Sequence, residues 1–594
     1  MSIFTSFSVG VSGLKASQNA INTTSHNLAN VNTPGYVRQQ AVMADTYYHT
    51  LGTKGSYVNQ VGIGVDLEDV RRIRDTLLDK AFRQESGRQE FYESQKMAID
   101  EVQELFGELE GVAFQDYLEN LESAVQEIVK DPSTQVTRAS LIQSAVSFIS
   151  RANSIYESLV EYQNTLNREI QNMIAEINTL GDKIHTLNKK IAGVEAAGIE
   201  NANDLRDERD VALDRLGELV RISYTEDTDG IVEVKVEGVS FVTRTAVNHI
   251  EGKNLDADKG STLVTPVWPF LADKEVYNLN RPSSTKNNTD IGALRGLLLA
   301  RGDSTANYTD IPNSTDYAGG KTDPQYLADL AAYRVDIEQS TIKTVMAEFD
   351  QLINAMVTEM NEILCPNTDI DGISEQTGIA VDDIVGKTYT YGDYTYTITE
   401  DTRFFDAENA GYGYGDNIDV QGTELFSREH TDRYVEIDID GQKLYVFNEH
   451  NVFGNESLYT LGNLTVNDAV LQDYTLIPLG TKDGGEDRPR AEKLGQVWDN
   501  AELKLTPDYN TQKSYMEYYT EFTGQIANAG SLYENMIDYQ DMLAGGIDDE
   551  RQRVMGVSSD EELTNLIKYQ AAYNASSRYI NVINEMLEHL VTRL

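Results

Sequence analysis

The stretch LVEYQNTLNREIQNMIAEINTLGDKIHTLNKKIAGV, residues 159–194, reads as one long helix. Leu159, Leu166, Met173, Leu180, Leu187 and Val194 recur every seven residues, and Ile170, Ile177, Ile184 and Ile191 fill the complementary register. Apolar residues at that spacing share one helix face and require a packing partner. Taken from about Tyr156 to Ala197, such a helix extends on the order of 60 Å at ~1.5 Å per residue. Helical patterns at 76–130, 135–153, 204–220, 325–364 and 515–550 supply partners, so an intramolecular bundle is expected rather than an independent dimer.

Working outward, the two ends carry a narrower stripe. Phe4, Phe7, Val11, Leu14, Ile21 and Leu28 follow a three-then-four spacing, with Gln18 and Ser25 in the skipped turns. Leu563, Leu566, Tyr573, Ile580, Leu587, Val591 and Leu594 repeat it, with Gln570, Ser577 and Asn584 on the same line. A lone helix with so thin an apolar face is marginal in water, so each end needs the other end or a neighbouring molecule.

Between these regions the pattern changes. The first helix should stop near Asn30–Asn32, because Asn tolerates the left-handed conformation and Pro34 steers Thr33 out of the helical region. Pro34-Gly35 fits the centre of a type II turn. Residues 36–70, with alternating Val61, Ile63 and Val65, suggest short β structure. Val232, Val234 and Val236 follow a turn at Asp229-Gly230, a hairpin signal. The Tyr- and Thr-rich runs 389–396 and 434–447 are strand–turn–strand patterns, placing a separate acidic β domain at 366–505. The expected class is mainly α with inserted β domains: paired terminal helices in a coiled coil, a long helical shaft and an acidic outward β domain. Its divisions are 1–60 with 555–594 for terminal assembly, 61–220 with 291–365 and 506–554 for the shaft, a 221–290 hairpin insertion, and 366–505.

Composition narrows the function. The chain has 594 residues, 49 Lys plus Arg against 96 Asp plus Glu, and a net charge of −47. Most of its surface therefore repels nucleic acid and anionic membrane, and neither is an expected partner. Residues 1–60 differ, holding Lys15, Arg38 and Lys54 against the single acid Asp45. No apolar run approaches the ~20 residues that span a bilayer, so membrane insertion is not expected. Met1-Ser2 lacks the basic start of a cleavable signal, which by itself suggests a cytoplasmic chain. The single cysteine, Cys365, excludes an internal disulfide framework and reads as core filling.

Candidate chemistry is sparse. The seven histidines form no zinc-protease pair, and no phosphate-cradling glycine loop is present. Asn367, Asp369, Asp371 and Gly372 match the opening of a calcium loop, but Gly378 stands where a bidentate Glu is required, so a turn is expected. Arg301-Gly302-Asp303 resembles a short adhesion tripeptide and is explained by a solvated loop. No catalytic residue, cofactor or metal is assigned.

Ala29-Asn30-Val31-Asn32-Thr33-Pro34-Gly35-Tyr36 closely resembles the N-terminal signature of the axial proteins of the bacterial flagellum, the rod, hook and hook-associated proteins. The continuation Val37-Arg38-Gln39 is most similar to the hook-associated members at the hook–filament junction. The run from Glu562 through Tyr569-Gln570-Ala571-Ala572-Tyr573-Asn574 resembles that family's C-terminus, as do Asp204–Asp210 and Gly292–Leu298 its interior. The resemblance covers about 1–300, 340–365 and 515–594.

It implies a structural, non-enzymatic subunit that leaves the cell unfolded through the flagellum's type III export channel without a cleaved signal, and so an extracellular location. It also implies contacts with the hook protein and the next hook-associated junction protein, a ring of identical copies, and a cytoplasmic export chaperone at the C-terminal helix. Asn30, Asn32, Thr33, Pro34, Gly35, Tyr36 and Arg38 carry over as the assembly motif, with the two terminal stripes as the assembly interface. Another axial component, or a flagellar scaffold displaying a ligand-binding β domain, remains open. The ends are expected to find their partners only when copies polymerise.

Overall fold

In the computed structural model, residues 3–54, 57–107, 113–196, 198, 200–254, 262–499, 503–508 and 511–593 are described. Leu594, the last residue of the expected stripe, lies outside them. The chain opens with α1 (Ile3–Ala29), followed by strands β1 (Gln39–Asp45), β2 (Tyr48–Lys54), β3 (Tyr57–Gly62) and β4 (Val65–Arg72). β1 pairs antiparallel with β4, and β2 with β3. The helices α2 (Thr76–Phe106), α3 (Phe114–Lys130), α4 (Gln135–Glu195) and α5 (Asn203–Leu219) come next.

Local chemistry sets these ends. Asp75 caps α2 by accepting the Leu77 and Leu78 N–H groups, and Gly107 closes it at φ 70°. The helix expected over 76–130 is thus two helices. The long helix, by contrast, is longer than expected: α4 runs 61 residues without interruption, absorbing the segment placed at 135–153. That is about 90 Å at ~1.5 Å per residue. Ile170, Ile177, Ile184 and Ile191 are fully buried along it, while the second line of the seam runs through Ile174, Gly181 and Asn188 rather than Met173, Leu180 and Val194. A straight helix of 3.6 residues per turn drifts from a strict seven-residue repeat, and α4 packs on several different elements instead of one supercoiled partner.

β5 (Ile222–Glu226), β6 (Val232–Val236) and β7 (Val239–Val242) form an antiparallel sheet in which Val232, Val234 and Val236 are buried and the intervening Glu233 and Lys235 exposed. Gly181 gives this sheet room on α4: a Cβ there would lie 2.5 Å from Phe241 Cζ. The chain continues through α6 (Ala293–Arg301), α7 (Pro324–Asp336) and α8 (Thr341–Leu364), then the short α9 (Ile370–Thr377), α10 (Val381–Ile384), α11 (Asp468–Gln472) and α12 (Arg488–Gln496) among small sheets. It ends with α13 (Tyr515–Met555) and α14 (Ser559–Thr592).

The shaft core is aromatic at its centre. Phe106 of α2, Phe114 of α3, Phe349 of α8 and Phe522 of α13 meet, Phe106 edge to face with Phe349 and Phe522 and Phe114 edge to face with Phe349 at 5.0–5.2 Å between centroids, and Phe349 stacked on Phe522 at 6.3 Å. This core extends through Leu425, Phe426, Leu464, Leu494 and Trp498, while Ile370, Ile373, Ile398, Phe404, Leu444 and Val446 form a second, smaller one. Both Tyr-rich runs are antiparallel hairpins, 388–397 and 434–447.

Asp369 caps α9 by accepting the Gly372 N–H, and Gly378 ends that helix at φ 74°, so the segment expected to be a turn is a short capped helix. The tripeptide at 301–303 is solvated at Asp303 but not at Arg301. Arg301 closes α6 at 1% exposure, with Nη1 donating to Asn167 Oδ1, and Asp303 pairs with Lys343 at 2.5 Å. Cys365 is buried, its Sγ donating to the Gly422 carbonyl.

Candidate assembly interface at the paired termini

α1 and α14 lie antiparallel against each other within one chain. Gly10 faces Ile580 and Tyr579, Gly13 faces Ser576, and Asn27 faces Glu562. The ends therefore do not wait for a neighbouring copy to find each other, because small residues on α1 let the two backbones approach closely. The seam on α1 is Gly10, Gly13, Ser17, Ala20, Thr24 and Asn27, one residue before the stripe of larger side chains. On α14 it runs through Glu562, Leu566, Tyr569, Tyr573, Ser576, Ile580, Ile583 and Leu587.

The larger side chains fall beside this seam. Phe7, Val11, Leu14, Ile21 and Leu28 are half-buried, and Phe4 is 76% exposed. The β1–β4 ribbon packs along α1, where the Val65 N–H donates to Ser12 Oγ at 3.2 Å. Leu566, Tyr573, Ile580 and Leu587 are half-buried on the seam, whereas Leu563 and Val591 are exposed, Val591 at 75% exposure. Ile567, Val582, Met586 and Leu590 are exposed with Leu563 on the open face of α14, while Val591 continues the seam line four residues past Leu587.

The turn after α1 closes as its residues dictate. The Thr33 N–H donates to the Asn30 carbonyl, the Tyr36 N–H to the Thr33 carbonyl, and Gly35 takes φ 77°. Gly35 also permits a close approach, since a Cβ there would sit 2.2 Å from Val211 Cγ2 on α5. Asn30 Nδ2 donates to the His26 carbonyl and Asn30 Oδ1 accepts from Thr33 Oγ1. Asn32, Thr33, Pro34 and Gly35 are exposed, Tyr36 and Arg38 half-buried. Arg38 pairs with Glu561 at 3.1 Å and Glu562 at 2.9 Å, and its N–H donates to the Met555 carbonyl.

The hub is a residue the sequence does not single out. Asn27, 1% exposed, donates to the Gln39 carbonyl and Glu562 Oε2, and its Oδ1 accepts from the Gln39 N–H and Tyr36 Oη. Burial, then Asp204, Asp207 and Glu562, raise the Tyr36 phenol above its usual range, so Tyr36 remains a donor. Shifting the α1 stripe by one residue brings Asn27 onto the line of small residues, the only signal that marks it.

Beneath the turn lies an ionic knot. The Val37 N–H donates to Asp207 Oδ2, and Arg72 bridges Asp207 at 2.7 Å and Asp210 at 2.8 Å. Arg74 joins Asp210 to Asp79, Arg83 binds Asp214, and Arg551 of α13 spans Asp79 at 3.0 Å and Asp214 at 2.8 Å. Burial raises the Asp207 carboxyl despite Arg72, whereas Arg74, Arg72 and Arg83 together overcome burial and hold Asp210 below its usual range. The arrangement welds β4, α2, α5 and the end of α13 into one joint carrying the terminal pair. Among the described residues no group of three or more His, Cys, Asp or Glu is arranged to hold a metal, and no helix is long and apolar enough to cross a membrane.

Residues 99–380 match the family model described as the flagellar hook-associated protein FlgK helical domain. Residues 7–36 match that of the flagella basal body rod protein, and 552–593 that of the flagellar basal body rod FlgEFG protein C-terminal region. The flagellar hook-associated protein 1 of Bacillus subtilis is 22% identical, the alignment covering 97% of this chain and 96% of that one. Its Escherichia coli counterpart is 23% identical over 98% of each. The solved structure of the flagellar hook junction protein FlgK from Burkholderia pseudomallei overlays at a TM-score of 0.47 and 13% identity, covering 82% of this chain and all of that one. With the axial-protein models on its two paired ends, the hook-associated model between them and relatives aligned along nearly its whole length, the chain belongs to the flagellar hook-associated protein 1 family, structural components of the bacterial flagellum.

Proposed function

We propose that this chain is the structural subunit joining hook to filament, assembled from identical copies after export through the flagellar type III channel. The observation that supports it most is the open face of the terminal pair: α1 and α14 satisfy each other through small residues and leave Phe4, Ile567, Val582 and Met586 in solvent. In this reading that face, with the half-buried stripe and the Asn30–Arg38 turn, meets neighbouring copies, the hook protein and the next junction protein. An export chaperone covers the α14 face beforehand. The shaft packs around the terminal ring, residues 366–505 point outward, and the role includes no catalysis, cofactor or metal.

Ile567→Asp, on the open face, tests this separately from Ile580→Asp, on the intrachain seam. Introduced into a strain lacking the native gene, Ile567→Asp should give secreted, folded protein, hooks without filaments by electron microscopy, and loss of swimming. Normal filaments from Ile567→Asp would overturn the reading.

A further inference from the structure

One cavity runs against the charge of the whole molecule. A space of about 430 Å³ between the start of α2, β5 and the segment before α6 is lined by Lys80, Arg83, Arg221, Tyr224, Ser223 and Asn288 among others, and among the described residues no carboxylate lines it. In a chain with 96 acids and 49 bases, a cavity walled by three cations stands out electrostatically. The larger cavity beside α7 is, by contrast, lined by Asp303, Asp310, Asp329 and Asp336.

The cations are held differently. Arg83 is buried, with its Cζ 4.7 Å from the Tyr224 ring centroid and its Nε on Asp214. Arg221 is half-exposed and pairs with Glu237 at 2.7 Å. Lys80 is exposed, 5.6 Å above the same Tyr224 ring, and has no carboxylate within ion-pair distance among the described residues. Tyr224 thus holds two cations side by side, and the Lys80 ammonium keeps its donors available at the mouth. Ser223 and Gln84 add neutral hydrogen-bonding groups.

We propose that this cavity is an oxyanion-binding site, with Lys80 as its principal donor and Arg221 as the second, taking a carboxylate or phosphate group. Two sources carry that chemistry: a small soluble oxyanion, or an acidic side chain of a second copy, of which this chain presents many. The second source rests on the assembly reading above; the first does not.

The test uses the full chain. Calorimetric titration with inorganic phosphate and with citrate, against chloride at matched ionic strength, should show binding that Lys80→Gln weakens about tenfold and Lys80→Arg restores. Sedimentation at rising protein concentration reads the other source: self-association weakened by Lys80→Gln and by added citrate assigns the cavity to a neighbouring copy's carboxylate. Phosphate binding that depends on Lys80 without any effect on association assigns it to a soluble anion. Equal anion binding by wild type and Lys80→Gln, or no binding together with self-association indifferent to Lys80, overturns the proposal.

Discussion

Asn27 and Glu562 stand 535 residues apart in the chain and 3.1 Å apart in space, joined by a buried amide-to-carboxylate hydrogen bond. The same amide carries both backbone groups of Gln39. One side chain therefore fixes helix α1, the strap that leaves it and the start of α14.

Replacing Asn27 by Ala leaves a buried carboxylate, a phenol and two backbone groups short of partners. Each such loss costs on the order of 1–3 kcal/mol. Hydrogen exchange at Gln39 and across the first turns of α14 should rise at least tenfold while the protection of α4 stays unchanged. Equal exchange in wild type and Asn27→Ala would remove the residue from its role as hub.

In an isolated helix Gly→Ala gains about 1 kcal/mol. At Gly10 the sign reverses, because a Cβ would lie 2.8 Å from Ile580 Cγ1 and 3.2 Å from Tyr579. Gly10→Val should weaken the α1–α14 pair by about 1–3 kcal/mol through overpacking. In wild type the pair already buries few large side chains, so its amides should exchange faster than those of α4, and faster still in the variant.

Arg551 lies between Asp79 and Asp214 at 4% exposure. Arg551→Ala breaks two of the knot's buried pairs, leaving Asp79 with Arg74 and Asp214 with Arg83 alone, and should lower unfolding stability by about 1–3 kcal/mol. The loss should change little between low and high salt, since buried pairs are poorly screened. A strongly salt-dependent loss would place the contribution at the surface instead.

Glu348 on α8 is buried, and burial, with Glu338 adding to it, pushes its carboxyl up to about 8. The folded state therefore holds this proton more tightly than the unfolded chain. The stability linked to it is fully present below the ordinary carboxylate range near pH 4.5 and is lost as pH rises to about 8. Thermal unfolding should show the wild-type Tm falling across that window, with a flatter profile in Glu348→Gln. The difference at pH 8 should be of the order of a few kcal/mol in favour of the variant.

Much of this was legible beforehand. The Asn30–Tyr36 turn, the Val232–Val236 hairpin, both Tyr-rich hairpins and the helical character of 159–194 depend on near neighbours, and their residue types restrict the backbone directly. The phase of the terminal seam was not. Two lines one residue apart both keep a three-four rhythm on α1, and the line with larger side chains looked the stronger candidate. Close approach of the backbones chose the smaller one instead.

The sequence alone determined the helical character of most of the chain, the turn after the first helix, the strongly acidic charge, and that both ends require partners. Only the tertiary structure decided which partner each end meets, that Arg301 is buried rather than solvated, and that Phe106, Phe114, Phe349 and Phe522 share one centre. The reason is range. Backbone preference acts over a few residues, whereas packing and charge pairing act through space between segments whose separation along the chain carries no record of their contact.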